Sequence, residues 1–258
     1  MNAPVIIAII NQKGGVGKST VSVNLSYSLS KKKYNVLMID LDPQAHTSCI
    51  YCDSIGKAKT IEQAFLDKES DINELIIKAT TRGKEIDNLY IIPSNIHLAV
   101  GIEQVAGRIY REKILKTHFD RLGEKFDFII MDCPPTLGVL AINAIYAANN
   151  IVIPTNYSKY SLDGIADLLS TMKEIKGGDF MNYFILRNIY DRRNKQTNAY
   201  IDLQLESVKS KVLGTTIRKS ESIGQAQISS APVELYDPAS HGCHDFELLV
   251  EELILNVA

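Results

Sequence analysis

Short apolar runs alternate along this chain with stretches whose apolar residues recur at helical spacing. Val5 to Ile10 is an unbroken apolar run suited to a strand buried on both faces, and Ser19 to Leu29 has the apolar spacing of a helix. Further strand-like runs cover Asn35 to Asp40, Asn88 to Ile92, Phe126 to Asp132, Asn150 to Pro154, Asn182 to Ile189 and Val212 to Ile217. Strand and helix in alternation predict an α/β fold, a three-layer sandwich whose central sheet is mostly parallel and covered by helices on both faces. No internal repeat, low-complexity tract or linker interrupts the pattern, so residues 1–258 are expected to form one domain. In such sheets ligands gather at the carboxyl ends of the strands.

The first of those ends is rich in glycine. Residues 11 to 20 read Asn11-Gln12-Lys13-Gly14-Gly15-Val16-Gly17-Lys18-Ser19-Thr20. Gly14, Gly15 and Gly17 let the backbone from Gly14 to Thr20, Val16 included, curl around an anion that also sits at the positive end of the helix. Lys18 would neutralise phosphate oxygens, and Ser19 would offer a hydroxyl to Mg²⁺. The plain phosphate-loop pattern asks for glycine where this chain has Gln12, so the second lysine, Lys13, is the better signal. A bare glycine-rich turn would account for none of this order of strand, lysine, hydroxyl and helix.

Three carboxylates fall at the same edge. Asp132 ends the apolar run Phe128-Ile129-Ile130-Met131, where a charge without a partner is costly; a nearby Mg²⁺ would supply one, and capping of the strand end is the plainer alternative. Asp40 and Asp42 point to opposite sides if the chain stays extended, so only one can face a phosphate directly.

These landmarks together resemble the deviant Walker A ATPases, and within them the ParA/Soj partition ATPases. The resemblance runs over nearly the whole chain, through Asp40-Leu41-Asp42-Pro43-Gln44, Ile92-Pro93-Ser94-Asn95, Asp132-Cys133-Pro134-Pro135 and Tyr236-Asp237-Pro238. It implies a Mg²⁺-dependent ATPase in which Lys13 reaches the nucleotide of a partner subunit, so that ATP holds a homodimer face to face. It further implies that Asp42 orients or deprotonates the attacking water, that Asp40 supports the Mg²⁺ shell through water, and that Lys13 and Lys18 offset charge on the transferring phosphoryl group. Adenine is expected because no Asn-Lys-x-Asp loop occurs; Asn194-Lys195-Gln196-Thr197 lacks the final carboxylate. By resemblance Asn188 is the candidate for the base pocket, while Ile217-Arg218-Lys219-Ser220 departs from the family's usual Ile-Pro-Arg-Asn. Tyr157-Ser158-Lys159 departs from it as well, as a different partner surface would.

The formal net charge is −2, yet Arg187 to Lys219 carries eight basic residues against three acidic ones, leaving −7 for the rest of the chain. Such asymmetry suits a phosphate-contacting face, with a solvated surface as the alternative. By resemblance Arg193 and Arg218 or Lys219 would touch duplex DNA without sequence preference, and a ParB-like centromere-binding protein would stimulate hydrolysis. The phosphate loop begins so early that no DNA-reading domain is expected before it. The start of the chain lacks a basic flank and cleavage site, and no apolar run approaches the ~20 residues that span a bilayer, so the expectation is a cytoplasmic, nucleoid-associated protein with no membrane role.

Two rivals share the scaffold. MinD-like ATPases end in a basic amphipathic helix, but the tail from Phe246 to Ala258 has three acids and no base, which anionic lipid would repel; its leucines are expected on the sheet. A biosynthetic ATP-dependent enzyme would share the phosphate loop, but not Asp42-Pro43-Gln44 and Tyr236-Asp237-Pro238. Cys49 with Cys52, and His241, Cys243 and His244, are conceivable metal ligands, yet each set is too small to close a site within one chain. Both are expected in loops as thiols and imidazoles without metal.

Overall fold

The computed structural model describes residues 3–53, 56, 58–123, 126–156, 159–177 and 182–257. Tyr157 and Ser158 lie outside the described residues, as does the side chain of Lys159. Eight strands form one sheet: β1 (Val5–Ile9), β2 (Val36–Asp40), β3 (Ile77–Thr81), β4 (Lys84–Ile92), β5 (Phe128–Asp132), β6 (Asn150–Thr155), β7 (Tyr183–Tyr190) and β8 (Val212–Arg218). Their spatial order is β3-β4-β2-β5-β1-β6-β7-β8, with every neighbouring pair parallel except β3 and β4. The mostly parallel sheet that the pattern predicts is therefore present. One strand was not expected: β3 is a half-polar run whose antiparallel hairpin with β4 closes one edge, and β4 accordingly starts at Lys84 rather than Asn88.

The helices, in chain order, are α1 (Lys18–Lys31), α2 (His46–Tyr51), α3 (Glu62–Leu66), α4 (His97–Val105), α5 (Ile114–Phe119), α6 (Val139–Ala147), α7 (Lys159–Lys176), α8 (Lys195–Gln204), α9 (Glu221–Ile228), α10 (Val233–Tyr236) and α11 (His241–Val257). Because successive strand residues face opposite sides, the central strands feed two cores. Ala8, Leu37, Ile39, Ile129, Met131, Ile151 and Ile153 pack on the side of α3 to α8. Ile7, Ile9, Val36, Met38, Ile130 and Val152 pack on the side of α1, α2 and α11. Strands buried on both faces explain why the sequence shows apolar runs there instead of alternation.

The terminal helix lies against β8 and α1, with Phe246, Leu249, Val250 and Leu253 in the core, whereas Leu248 and Leu255 remain exposed. Among the described residues no helix is long and apolar enough to cross a membrane. Only Cys52 of the cysteine and histidine groups lies off a helix: Cys49 is exposed within α2, Cys52 is the buried, extended residue that follows it, and His241, Cys243 and His244 open α11. Among the described residues no three His, Cys, Asp or Glu side chains are grouped as metal ligands.

Candidate functional site

The loop between β1 and α1 takes its shape from its glycines and from two asparagines. Gly15 and Gly17 have φ of +73° and +85°, the left-handed region that other residues enter at a cost. A Cβ on Gly17 would also stand 2.4 Å from Asn188 Nδ2. That close approach exists because Asn188, at the end of β7, donates to the Val16 carbonyl at 2.7 Å. On the other side Asn11 Nδ2 donates to the Pro154 carbonyl on β6 at 2.8 Å, while its Oδ1 accepts from the Lys13 amide at 2.9 Å. The loop is thus tied to the two strands that flank β1 on one side of the sheet. Asn188, expected at a base pocket, uses its amide group on the loop backbone and on the Ile189 amide.

Lys18 is buried and its Nζ lies 3.2 Å from the Lys13 carbonyl, so the two lysines of the motif are joined through the loop backbone. Burial draws the Lys18 ammonium below its ordinary range, against the attraction of Asp132, Cys133 and Asp42.

On the opposite side of the loop lies a compact set of carboxylates and hydroxyls. Parallel pairing of β2 with β5 sets Asp40 beside Asp132, and both are wholly buried. Asp132 Oδ2 accepts from Thr47 Oγ1 at 2.6 Å, and Oδ1 accepts from Ser22 Oγ at 3.1 Å. Asp40 accepts from the Asp42 amide at 3.0 Å and from the amide and hydroxyl of Ser48 at 2.8 and 2.7 Å. Ser48 Oγ in turn accepts from the Ser94 amide at 2.8 Å, which is what ties the Ile92-Pro93-Ser94-Asn95 landmark to the site. Burial, together with repulsion from Asp132, pushes the Asp40 carboxyl up to about 7. Asp132 is raised by burial against the hydroxyls that donate to it. Neither Thr47 nor Ser48 was picked out from the sequence; the signal was available only as small hydroxyl residues just after Asp42-Pro43-Gln44.

Asp42 stands at the mouth of this network, largely buried, with Oδ1 accepting from the Gln44 amide at 2.9 Å. It lines a crevice of about 590 Å³ together with Gly14, Gly15, Gly17, Lys18, Ser19 and Thr20 of the loop. Beyond the loop the crevice continues between α1, α2 and α9, past Val23, Asn24, Cys49, Ile50, Ile223, Ala226 and Gln227. Gln227 donates to Thr20 Oγ1 at 2.5 Å, and Asn24 Oδ1 accepts from the Val233 amide at 2.8 Å, so α9 and α10 are fastened to the first helix. A larger cavity of about 1170 Å³ opens at the amino ends of the strands, but neither the lysines of the loop nor its glycines or carboxylates reach it.

A divalent cation fits this donor set: the Ser19 hydroxyl and the Asp42 carboxylate stand at the crevice wall, next to two buried carboxylates that repel each other. Neither Asp40, spent on Asp42 and Ser48, nor Asp132, spent on Thr47 and Ser22, lines the crevice itself.

The basic segment sits at the carboxyl ends of β7 and β8, where Tyr190 pairs with Arg218 and the Lys219 amide donates to the Tyr190 carbonyl. Arg193 grips Asp191 through Nε and Nη2 at 2.9 and 2.6 Å, which holds the Asp191 carboxyl well below its usual range, yet its own side chain is 82% exposed. Arg218 clamps buried Asp245 at 2.5 to 3.0 Å with only 25% of its side chain exposed. Lys219 is exposed.

A glycine loop with two lysines, a hydroxyl and a strand-end carboxylate, at the carboxyl edge of a parallel sheet, defines a P-loop NTPase of the type with an extra lysine near the start of the loop. The AAA_31 family, an AAA domain, matches residues 5–183. Over 258 residues the chain is 36% identical to the sporulation initiation inhibitor protein Soj of Bacillus subtilis, covering 97% of this chain and 98% of that protein. It is 31% identical to the chromosome partitioning protein ParA of Myxococcus xanthus, covering 96% and 87% respectively. A plasmid partition protein of Borrelia burgdorferi bound to AMPPNP superposes with a TM-score of 0.80 at 26% identity, covering 98% of this chain and all of that one. The chain belongs to the AAA_31 family and, within it, to the Soj/ParA partition ATPases.

Proposed function

We propose that this chain is a single-domain Mg²⁺-dependent ATPase that binds ATP at the β1–α1 loop, dimerises around it, and in that state holds duplex DNA without sequence preference. The observation that supports this reading most is the placement of Lys18 and Asp42 in the wall of one crevice, with buried Asp132 close enough to attract the Lys18 ammonium. In this reading the amides from Gly14 to Thr20 bind phosphate oxygens, Lys18 faces the outer phosphates and Lys13 extends toward the second subunit. Asp42 orients the attacking water, and its place at the crevice wall beside Lys18 suits that task. Ser19 and Asp132 would hold Mg²⁺, which when bound neutralises phosphate charge. Asp40 keeps the Asp42 loop in place through its bond from the Asp42 amide. Release follows hydrolysis, stimulated by a ParB-like partner, and the working location is the nucleoid.

DNA would lie against the basic ends of β7 and β8. Arg193 and Lys219 are exposed enough to reach phosphates, while Arg218 is held by Asp245 and acts chiefly as a brace. The deciding measurement is binding of the purified protein to sequence-random duplex with Mg²⁺-ATP or ADP across a salt series. ATP-only binding that falls steeply with salt is expected. Arg193→Ala should weaken it without moving the melting temperature, whereas Arg218→Ala should cost on the order of 3 kcal/mol in stability by stranding Asp245. No binding at low salt, in a preparation shown to hold ATP and dimerise, overturns the DNA role.

A further inference from the structure

We propose that Thr47 is a positioning residue that sets the cation side of the site by fixing Asp132. The assignment rests on the ATPase reading above and adds to it a residue outside the loop and outside the three carboxylates. Asp132 has hydroxyl neighbours from two elements: Ser22 from α1 and Thr47 from α2. The Ser22 proton is divided, because Ser22 Oγ is as near the Lys18 carbonyl, 3.0 Å, as it is to Asp132 Oδ1. Thr47 makes the shorter side-chain contact, 2.6 Å, and ties the Asp132 carboxylate to the segment that follows Asp42, while the Leu41 amide holds the Asp132 carbonyl from the other end of that segment. The next residue, Ser48, does the same for Asp40. Adjacent helix residues project about 100° apart, so the first turn of α2 serves two facing carboxylates at once and holds them where their mutual repulsion would part them.

The consequence falls on Asp132 itself. An ionised carboxylate only accepts, so the Thr47 hydroxyl at Oδ2 fixes the plane of the carboxylate. A hard cation, met directly or through water, needs the remaining oxygen lone pairs in place. Loss of an outer hydrogen bond of this kind weakens metal sites about 10- to 100-fold.

The test is a Mg²⁺ titration of the binding of a fluorescent ATP analogue to the full chain, with a parallel titration of the analogue in EDTA and ligand-free melting curves. Thr47→Val keeps the volume and removes the donor. It is expected to move the Mg²⁺ midpoint up at least about 10-fold and to lower the ligand-free melting temperature, because a buried acceptor loses its donor, while affinity in EDTA stays as in the unaltered chain; Thr47→Ser should restore both. If Thr47→Val does not fold, Thr47→Cys, a weak donor, takes its place and should shift the midpoint the same way by less. A midpoint that does not move, or an equal loss with and without Mg²⁺, overturns the assignment. Failure of the unaltered chain to bind the analogue in a Mg²⁺-dependent way overturns the ATPase reading itself.

Discussion

The two flanks of the phosphate loop are built on different chemistry. Toward β2, β5 and α2 the contacts are made by Asp40, Asp132, Ser22, Thr47 and Ser48, and each buried carboxylate is matched by hydroxyls and amides. Toward β6 and β7 they are made by two neutral amides, Asn11 and Asn188, each joining loop backbone to a strand. Both flanks carry strain: on the first, Ala45 has φ +55° just before α2 and the buried Ser94 hydroxyl has no protein partner among the described residues. On the second, Ile189, a β-branched residue, has φ +55° where the pairing of β7 with β8 shifts register, and the buried Thr155 hydroxyl has no protein partner among the described residues. One flank therefore governs charge and the other governs the shape of the loop, and the two should fail in different ways.

The largest effect is expected where the loop meets the charged flank. Lys18→Ala should lose at least about 100-fold in nucleotide binding, whereas Asp42→Ala should bind and dimerise but release phosphate at least about 100-fold more slowly. Equilibrium binding beside a phosphate-release assay separates them, and full turnover by Asp42→Ala would remove that residue from the reaction. A middle-sized effect belongs to the neutral flank. Asn188→Ala leaves the Val16 carbonyl without its side-chain donor, a loss of about 1–3 kcal/mol. It should weaken nucleotide binding roughly 10-fold, the equivalent of about 1.4 kcal/mol, and equally with Mg²⁺ and with EDTA; a loss seen only with Mg²⁺ would erase the distinction between the flanks. The smallest concerns strain. Ile189→Gly removes a side chain held in a left-handed conformation and should raise the melting temperature by about 2–4 °C, for a relief of ~1 kcal/mol. An unchanged or lower melting point would mean that the side chain contributes more than its backbone costs.

What was legible in the sequence was whatever the chain spells in consecutive residues. The runs that became β1, β2 and β5 lie in the middle of a sheet buried on both faces, and the glycine loop and Asp132 follow directly from where those runs stop. β3 was missed because an edge strand with Lys78, Thr80 and Thr81 need bury little and carries no such run. Thr47 and Ser48 were missed for another reason: their significance depends on Asp132, 85 positions away from Thr47, and on the β2–β5 register that brings both acids together. Arg218 was singled out by resemblance as a DNA contact, and its bond to Asp245 went unseen because that partner comes from a helix farther along the chain. Asn188 was singled out as a ligand contact, but the direction of its amide, inward to Val16, is set by the irregularity at the end of β7, which no periodicity announces.

The fastening of α9 and α10 to α1 also bears on how the molecule comes into being. Gln227 meets Thr20 across 207 positions and Val233 meets Asn24 across 209, so one wall of the crevice is delivered by a segment made long after the loop it completes. Contacts of such long sequence separation form late and slowly. A nascent chain can display the complete glycine loop long before that wall arrives, and until it does the nucleotide site is only half a crevice.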